Sequence, residues 1–216
     1  MLANLYLRLT VDDCHWEAVS GSHKIHQKAF DLLTSAALNG NKESFRLLAE
    51  CYELGRGIVQ DMHNAIHYYR RGADAGDEIS MFRLAKLLFK SSSLSEGTEA
   101  DDCSPSEQVD RFCPVTGTTT EALRWMRCSS VLGYVDATFE LGKMYEFGHA
   151  VVEDHQAALN YYQAAADAGH GEAALFAANI YYSQASRSSK FELMLKAANL
   201  YRKAAESGIP LILLVL

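Results

Sequence analysis

DATFELGKMYEFGHAVVEDHQAALNYYQAAADAG, residues Asp136–Gly169, has a near-copy 93 residues earlier: ESFRLLAECYELGRGIVQDMHNAIHYYRRGADAG, residues Glu43–Gly76. Leu48 and Leu141, Tyr52 and Tyr145, Gly55 and Gly148, Asp61 and Asp154, and Ala65 and Ala158 fall in register without a gap. So do the pairs Tyr68-Tyr69 and Tyr161-Tyr162 and the closing Asp-Ala-Gly. One shared glycine carries no information, whereas a whole stretch in register marks an internal repeat.

The closing glycine serves as a ruler along the rest of the chain. Gly40, Gly76, Gly133, Gly169 and Gly208 are separated by 36, 57, 36 and 39 residues. The period is therefore near 36, with one long insertion and one short one, in the range of helix-pair solenoids. Apolar spacing within a repeat predicts two helices. Leu47, Leu48, Cys51 and Tyr52 define one face of a helix A from about Glu43 to Leu54, and Ala65, Ile66, Tyr69 and Ala73 one face of a helix B. Gly55 and Gly57 suit a tight turn, Asp61 suits a helix N-cap, and Gly76 suits a helix stop. A single pair cannot bury its apolar face, so neighbours must stack. The chain thus reads as an all-α solenoid of about five helix-pair repeats, in units 1–40, 41–76, 77–133, 134–169 and 170–208.

The irregular parts read as follows. In the first unit Leu2, Leu5, Tyr6 and Leu9 suggest a helix A, and a long polar connection from Asp12 to Gln27 leads to a clear helix B. Cys14, His15, His23 and His26 in that connection offer ligand atoms for zinc, but their spacing matches no standard finger. His63 and His67 are four apart on helix B; the fourth unit has Gln156 and Asn160 there, which points to a plain polar face. In the third unit helix A spans Ile79–Phe89, and the run from Lys90 to Gly117, rich in Ser and acids, reads as a disordered insertion. Ser104-Pro105 within it offers a phosphorylation site, although a tolerated surface insertion fits the run better. The fifth unit has helix A at Glu172–Tyr182, a polar turn at Ser183–Lys190, and helix B from Leu193. The tail at 209–216, ending LILLVL, is too short to span a bilayer.

The net charge of -7 argues against binding that relies on nucleic-acid phosphates. Five cysteines without patterned spacing, Cys103 and Cys113 included, read as free thiols in the cytoplasm. The N-terminal run MLANLYLRLTVDD lacks the basic start and cleavage site of a signal peptide. It reads as the middle of a helix, so a longer parent chain with further domains is expected. There is no P-loop, Gly-x-Gly-x-x-Gly, Gly-x-Ser-x-Gly or His-Glu-x-x-His. No enzyme activity, metal or cofactor is expected.

Leu48, Tyr52, Glu53, Gly55, Gly57, Asp61, Ala65, Tyr68, Tyr69, Ala73 and Gly76 together resemble the Sel-1-like repeat family. The fourth unit matches except for Ala150 at the second turn glycine, and the third and fifth units lack the turn glycines. The resemblance covers about residues 26–208 and implies an α/α right-handed superhelix, similar to tetratricopeptide repeats. It also implies a non-catalytic adaptor or scaffold in signalling or protein quality control, ER-associated degradation included. A fainter resemblance joins Ala29–Leu33, Glu121–Trp125 and Ala178–Tyr182 to the C-terminal, substrate-docking repeats of elongation factor 2 kinase. Some secreted bacterial members carry a cysteine pair per repeat and are linked to β-lactam binding. Cys51 and Cys128 have no partner in their own units, so that function is not expected. A protein or peptide partner is expected on the face of the A helices, at Arg46, Glu50, Lys86, Lys143 and Asn179. The last four share one repeat position and differ in charge.

Overall fold

The computed structural model describes residues 22–95, 117–188 and 190–208. These residues form nine helices and no strand: α1 (Ser22–Leu38), α2 (Lys42–Leu54), α3 (Met62–Asp74), α4 (Glu78–Ser95), α5 (Gly117–Val131), α6 (Val135–Phe147), α7 (His155–Asp167), α8 (Gly171–Ser188) and α9 (Phe191–Glu206). The expectations for the first helix A, Cys14, His15, Cys103, Ser104, Cys113 and the apolar tail fall outside the described residues. The chain divides into two compact units, Met1–Ser91 and Ser92–Leu216.

Helix ends are specified locally. Gly40, Gly76, Gly133, Gly169 and Gly208 all have positive φ, a conformation that costs glycine little. At four of these stops the next residue's N–H turns back to the carbonyl five residues earlier: Asn41 to Ala36, Asp77 to Gly72, Tyr134 to Ser129 and His170 to Ala165. The following helix is then capped. Asn41 Oδ1 accepts from Ser44 N–H, Asp77 Oδ2 from Ser80 N–H, and His170 Nδ1 from Ala173 N–H. Asp61 accepts from His63 and Asn64, and Asp154 from Gln156 and Ala157. Each such cap contributes about 1 kcal/mol.

Small residues let consecutive hairpins close up. Four residues before each closing glycine stand Ala36, Gly72, Ser129, Ala165 and Ala204. In the first unit Gly72 faces Ser80: a Cβ on Gly72 would lie 2.4 Å from Ser80 Oγ. In the second unit the equivalent positions hold Ala165 and Ala173, both fully buried. The small side chain has moved from one helix to the other while the pair has stayed small.

In the first unit α1 packs on α2 and α2 on α3. Ala29, Leu33, Ala37, Phe45, Leu48 and Cys51 form its core, with Phe30, Tyr52 and Tyr68 packed against it. In the second unit α5 to α9 pack in chain order around Phe139, Tyr162, Leu175, Tyr181 and a set of alanines. A leucine as buried as Leu48 or Leu141, 1 % exposed each, contributes about 1.5–3 kcal/mol.

Three helices run further than their polar residues suggest. α1 begins at Ser22, inside the connection read as a loop from Asp12 to Gln27. α4 continues through Lys90–Ser95 and α8 through Ser183–Ser188. None of these segments contains Gly or Pro, so nothing stops the preceding hydrogen-bond ladder. In α8 the buried Ala185 extends the spacing of Ala178 and Tyr181, and in α4 Ser91 Oγ donates back to Leu88 O.

Candidate protein-docking surface

The A helices carry the positions at which the repeats differ, and the frame beneath them is held by a repeated polar bond. Tyr69 on α3 donates its hydroxyl to Glu53 Oε2 on α2 at 2.6 Å. Tyr162 on α7 donates to Glu146 Oε2 on α6 at 2.5 Å. Both tyrosines are fully buried. Burial first, and the carboxylate acceptor second, push both hydroxyls well above the ordinary tyrosine range. Beside these bonds Tyr52 stacks on Tyr68 at 5.5 Å and Tyr145 on Tyr161 at 5.4 Å. The Tyr-Tyr pair of each of these two repeats is thus divided, one ring bonded and buried, the other stacked and half-buried.

Of the residues named from the sequence, Lys86 and Asn179 are exposed, whereas Arg46, Glu50 and Lys143 are half-buried. Lys86 lies over the Phe82 ring at 5.4 Å, and Asn179 Oδ1 accepts from Tyr201 at 2.8 Å. Lys143 pairs with Glu140 at 2.8 Å and covers the Phe139 ring at 5.0 Å. Arg46 Nε lies 3.5 Å from Asp77 Oδ2. Arg46 therefore braces α2 against the start of α4 as well as reaching solvent. Burial raises the Glu50 carboxyl above the usual range, and the cations Arg46, Arg83 and Arg56 only partly oppose it.

The two units differ most where the A helices meet. The first unit places Arg46, Asp77 and Arg83 at three positions; the second places Phe139, His170 and Phe176 at the same three. Phe139 stacks on His170 at 4.4 Å and meets Phe176 edge-on at 5.5 Å, and Phe176 reaches Tyr162 at 5.3 Å. The His170 ring also holds a defined tautomer. Nδ1 accepts the Ala173 N–H, which leaves the proton on Nε2, 3.6 Å from Asp136 Oδ1. Charges and rings thus occupy equivalent places on one frame. Apart from Arg46, named above for its place on the A face, likeness between repeats passes over these positions, because likeness is what they lack; the mismatches between copies 93 residues apart are the signal that marks them.

Among the described residues no three His, Cys, Asp or Glu side chains gather as a metal site. His63 and His67 are exposed on α3, and His67 packs on Tyr68 at 5.2 Å. Cys51 is buried and Cys128 half-buried, both as free thiols. Burial pushes the Cys51 thiol up to about 11, so it stays protonated and unreactive near neutrality. Among the described residues no helix is long and apolar enough to cross a membrane.

Residues 26–41, 46–77, 135–170 and 194–209 match the family model of the Sel1 repeat. Chitin synthase regulatory factor 3 of Schizosaccharomyces pombe is 27% identical over 184 residues, which cover 74% of this chain and 20% of that protein. Chitin synthase regulator SKT5 of Saccharomyces cerevisiae is 30% identical over 139 residues, 64% of this chain and 17% of that protein. This chain spans about a fifth of either relative. The crystal structure of a protective antigen of uropathogenic Escherichia coli displaying an SLR fold superposes with a TM-score of 0.68 at 23% identity, over 96% of this chain and 37% of the antigen. A Sel1 repeat protein from Oxalobacter formigenes superposes with a TM-score of 0.64 at 22% identity, over 85% of this chain and 65% of that one. With its matched stretches and the turns, caps and stops that recur in register, the chain carries Sel1 repeats.

Proposed function

We propose that this chain is a non-catalytic adaptor of the cytoplasm, which holds a protein partner on the A-helix faces of its two units. The observation that carries the reading is the variation at one repeat position, Glu50, Lys86, Lys143 and Asn179, on a frame whose caps, stops and buried tyrosines recur. A constant scaffold with a variable row, exposed at Lys86 and Asn179 and half-buried at Glu50 and Lys143, gives such a repeat surface its specificity. The free Cys51 and Cys128 fit a reducing compartment. Both fungal relatives are named as regulators of chitin synthase, which supports an adaptor over a kinase-docking arm. An enzyme of that class is therefore the first partner to test.

The test is charge reversal on the A faces. A Glu50→Lys/Lys143→Glu chain should keep its helical circular dichroism and lose the protein that co-precipitates with the native chain from the source cells. Retention of that protein by the folded variant would refute the assignment to these faces. Turnover of a small-molecule substrate by the purified native chain would refute the non-catalytic part.

A further inference from the structure

α9 leaves apolar surface uncovered. Phe191, Met194 and Leu195 are 78, 49 and 53% exposed, Ala198 is exposed, and Tyr201 and Ala205 are half-buried. By helical period these residues share one face, apart from Ala197 and Ala204, which are buried in the core of the second unit. α7 shows what covers such a face. Counted back from the closing glycine, Leu159, Tyr162 and Ala166 stand where α9 has Ala198, Tyr201 and Ala205. All three are buried, in one cluster with Ala173, Ala174 and Ala177 of α8. The cover of α7 is thus the A helix that follows it, and among the described residues no helix follows α9.

The sequence after α9 has the pattern of an A helix. Gly208 has φ 80 and donates its N–H to Ala205 O, as Gly169 does to Ala166 O. The helices α2, α4, α6 and α8 begin at Lys42, Glu78, Val135 and Gly171, each two residues after such a glycine. Two residues after Gly208 stands Pro210, and proline is favoured at the first position of a helix. Six residues after the glycine, Phe82, Phe139 and Leu175 are buried; eight after it, Leu48, Leu84 and Leu141 are buried. Leu214 and Leu216 hold those two places, and residues 209–216 contain no charged side chain.

We propose that residues 210–216 pack as the opening turns of a further A helix on the uncovered face of α9, along Ala205, Tyr201 and Ala198. Seven helical residues span about 10 Å, which is also the length of α9 from Ala205 to Ala198. Ala198 stands where α7 has Leu159, and Leu216 where α8 has Ala177, so bulk lost from one side returns on the other. Ile212 is larger than Ser44, Ser80, Ala137 and Ala173 at its position, which sets the segment farther from Ala204 than α8 is from Ala165. Joined through Gly208, the segment meets this face at an effective concentration in the millimolar range, above that of a second copy in solution.

The test uses the ¹⁵N-labelled full chain. Leu214→Gln/Leu216→Gln should shift the amide signals of Ala198, Tyr201 and Ala205 while those of α6 stay in place. Amide exchange at the three residues should quicken about tenfold or more, the equivalent of one leucine taken out of a buried site. Ala198→Glu sets a charge on the face at an exposed position and leaves the segment itself intact. It should move the amide signals of residues 211–216 in turn, and it gives the test should the double variant disturb folding. Both effects should hold over about a hundredfold range of chain concentration, because the contact is within one chain. Unmoved α9 signals in the folded Leu214→Gln/Leu216→Gln chain, or unmoved signals of residues 211–216 in Ala198→Glu, would overturn the proposal. So would effects that fade on dilution, which would assign the face to a second copy.

Discussion

Replacing Gly142 by alanine sets two effects of similar size against each other. In an exposed helix interior, alanine for glycine stabilises by about 0.5–1 kcal/mol. Gly142 is buried in α6, however, and a Cβ there would lie 2.6 Å from Cδ1 and Cε1 of Tyr162 and 3.2 Å from Cζ. The ring has nowhere to go. Tyr162 is fully buried, its hydroxyl is held by Glu146, and Phe139 and Phe176 stand 5.7 and 5.3 Å away. Overpacking of a core costs about 1–3 kcal/mol, and two 2.6 Å contacts against a fixed ring call for the upper part, about 2–3 kcal/mol, so after a helix gain of about 1 kcal/mol Gly142→Ala should destabilise by a net of about 1–2 kcal/mol. For a chain of this length that is a fall in Tm of about 2–8 °C, read by thermal and urea unfolding followed by circular dichroism. The first unit supplies a control, because Ala49 occupies the equivalent position opposite Tyr69 and is fully buried. There Arg46 and Arg83 replace the two phenylalanines, and no ring backs Tyr69 among the described residues. Phe176→Ala should therefore make room, and the Gly142→Ala/Phe176→Ala chain should lose less stability than the two single losses combined. A higher Tm for Gly142→Ala, or additivity within about 0.5 kcal/mol, would refute this account of the glycine.

Gly72→Ala should destabilise the first unit by driving a Cβ to 2.4 Å from Ser80 Oγ, and Gly72→Ala/Ser80→Ala, which copies Ala165 and Ala173, should recover part of the loss in the same unfolding assay, because the Cβ of residue 80 still stands 2.9 Å away. Tyr162→Phe leaves the Glu146 carboxylate without its 2.5 Å donor and should cost about 1.5–3 kcal/mol, with a similar loss for Tyr69→Phe; an effect below about 0.5 kcal/mol would show that water replaces the hydroxyl. The Glu50 carboxyl is raised in the folded state from a usual value of 4.5, so folding disfavours its ionised form and the native chain loses stability as the pH climbs through that raised value. Glu50→Gln should therefore have the higher Tm at pH 7, with the gap closing as the pH falls below 4.5; a gap independent of pH would show that the burial of charge is not its cause.

The frame was legible because its signals are local. A stop at Gly76 or Gly169 needs only the residues beside it, and Asp61 or Asp154 caps from one position before its helix. Repetition made such short signals reliable. The bonds across helices were not legible. Glu53 and Tyr69 are 16 residues apart, and nothing in either residue shows that a buried hydroxyl will meet that carboxylate. Arg46 reads as a solvated cation until the packing of α2 on the start of α4 brings Asp77 to 3.5 Å. Polar composition misled at the ends of α4 and α8, since Ser and Gln weaken a helix without ending it. Gly142 carried a packing message that no local rule decodes, because the ring it admits belongs to α7.

The exchange of Arg46, Asp77 and Arg83 for Phe139, His170 and Phe176 has a consequence for how the chain responds to its medium. One contact is held by charge and the other by buried rings, at matching places in the two units. Dissolved salt screens charges beyond about 8 Å at physiological strength, so weakening a pair 3.5 Å apart whose Asp77 side is buried takes about 1 M salt, where the screening length falls to about 3 Å. Burial of rings gains from sulfate or phosphate salts and fades on cooling, which leaves the second weakest in the cold. Sodium chloride near about 1 M therefore tests the first contact and cooling the second, and amide exchange around Asp77 and around His170 would read each one.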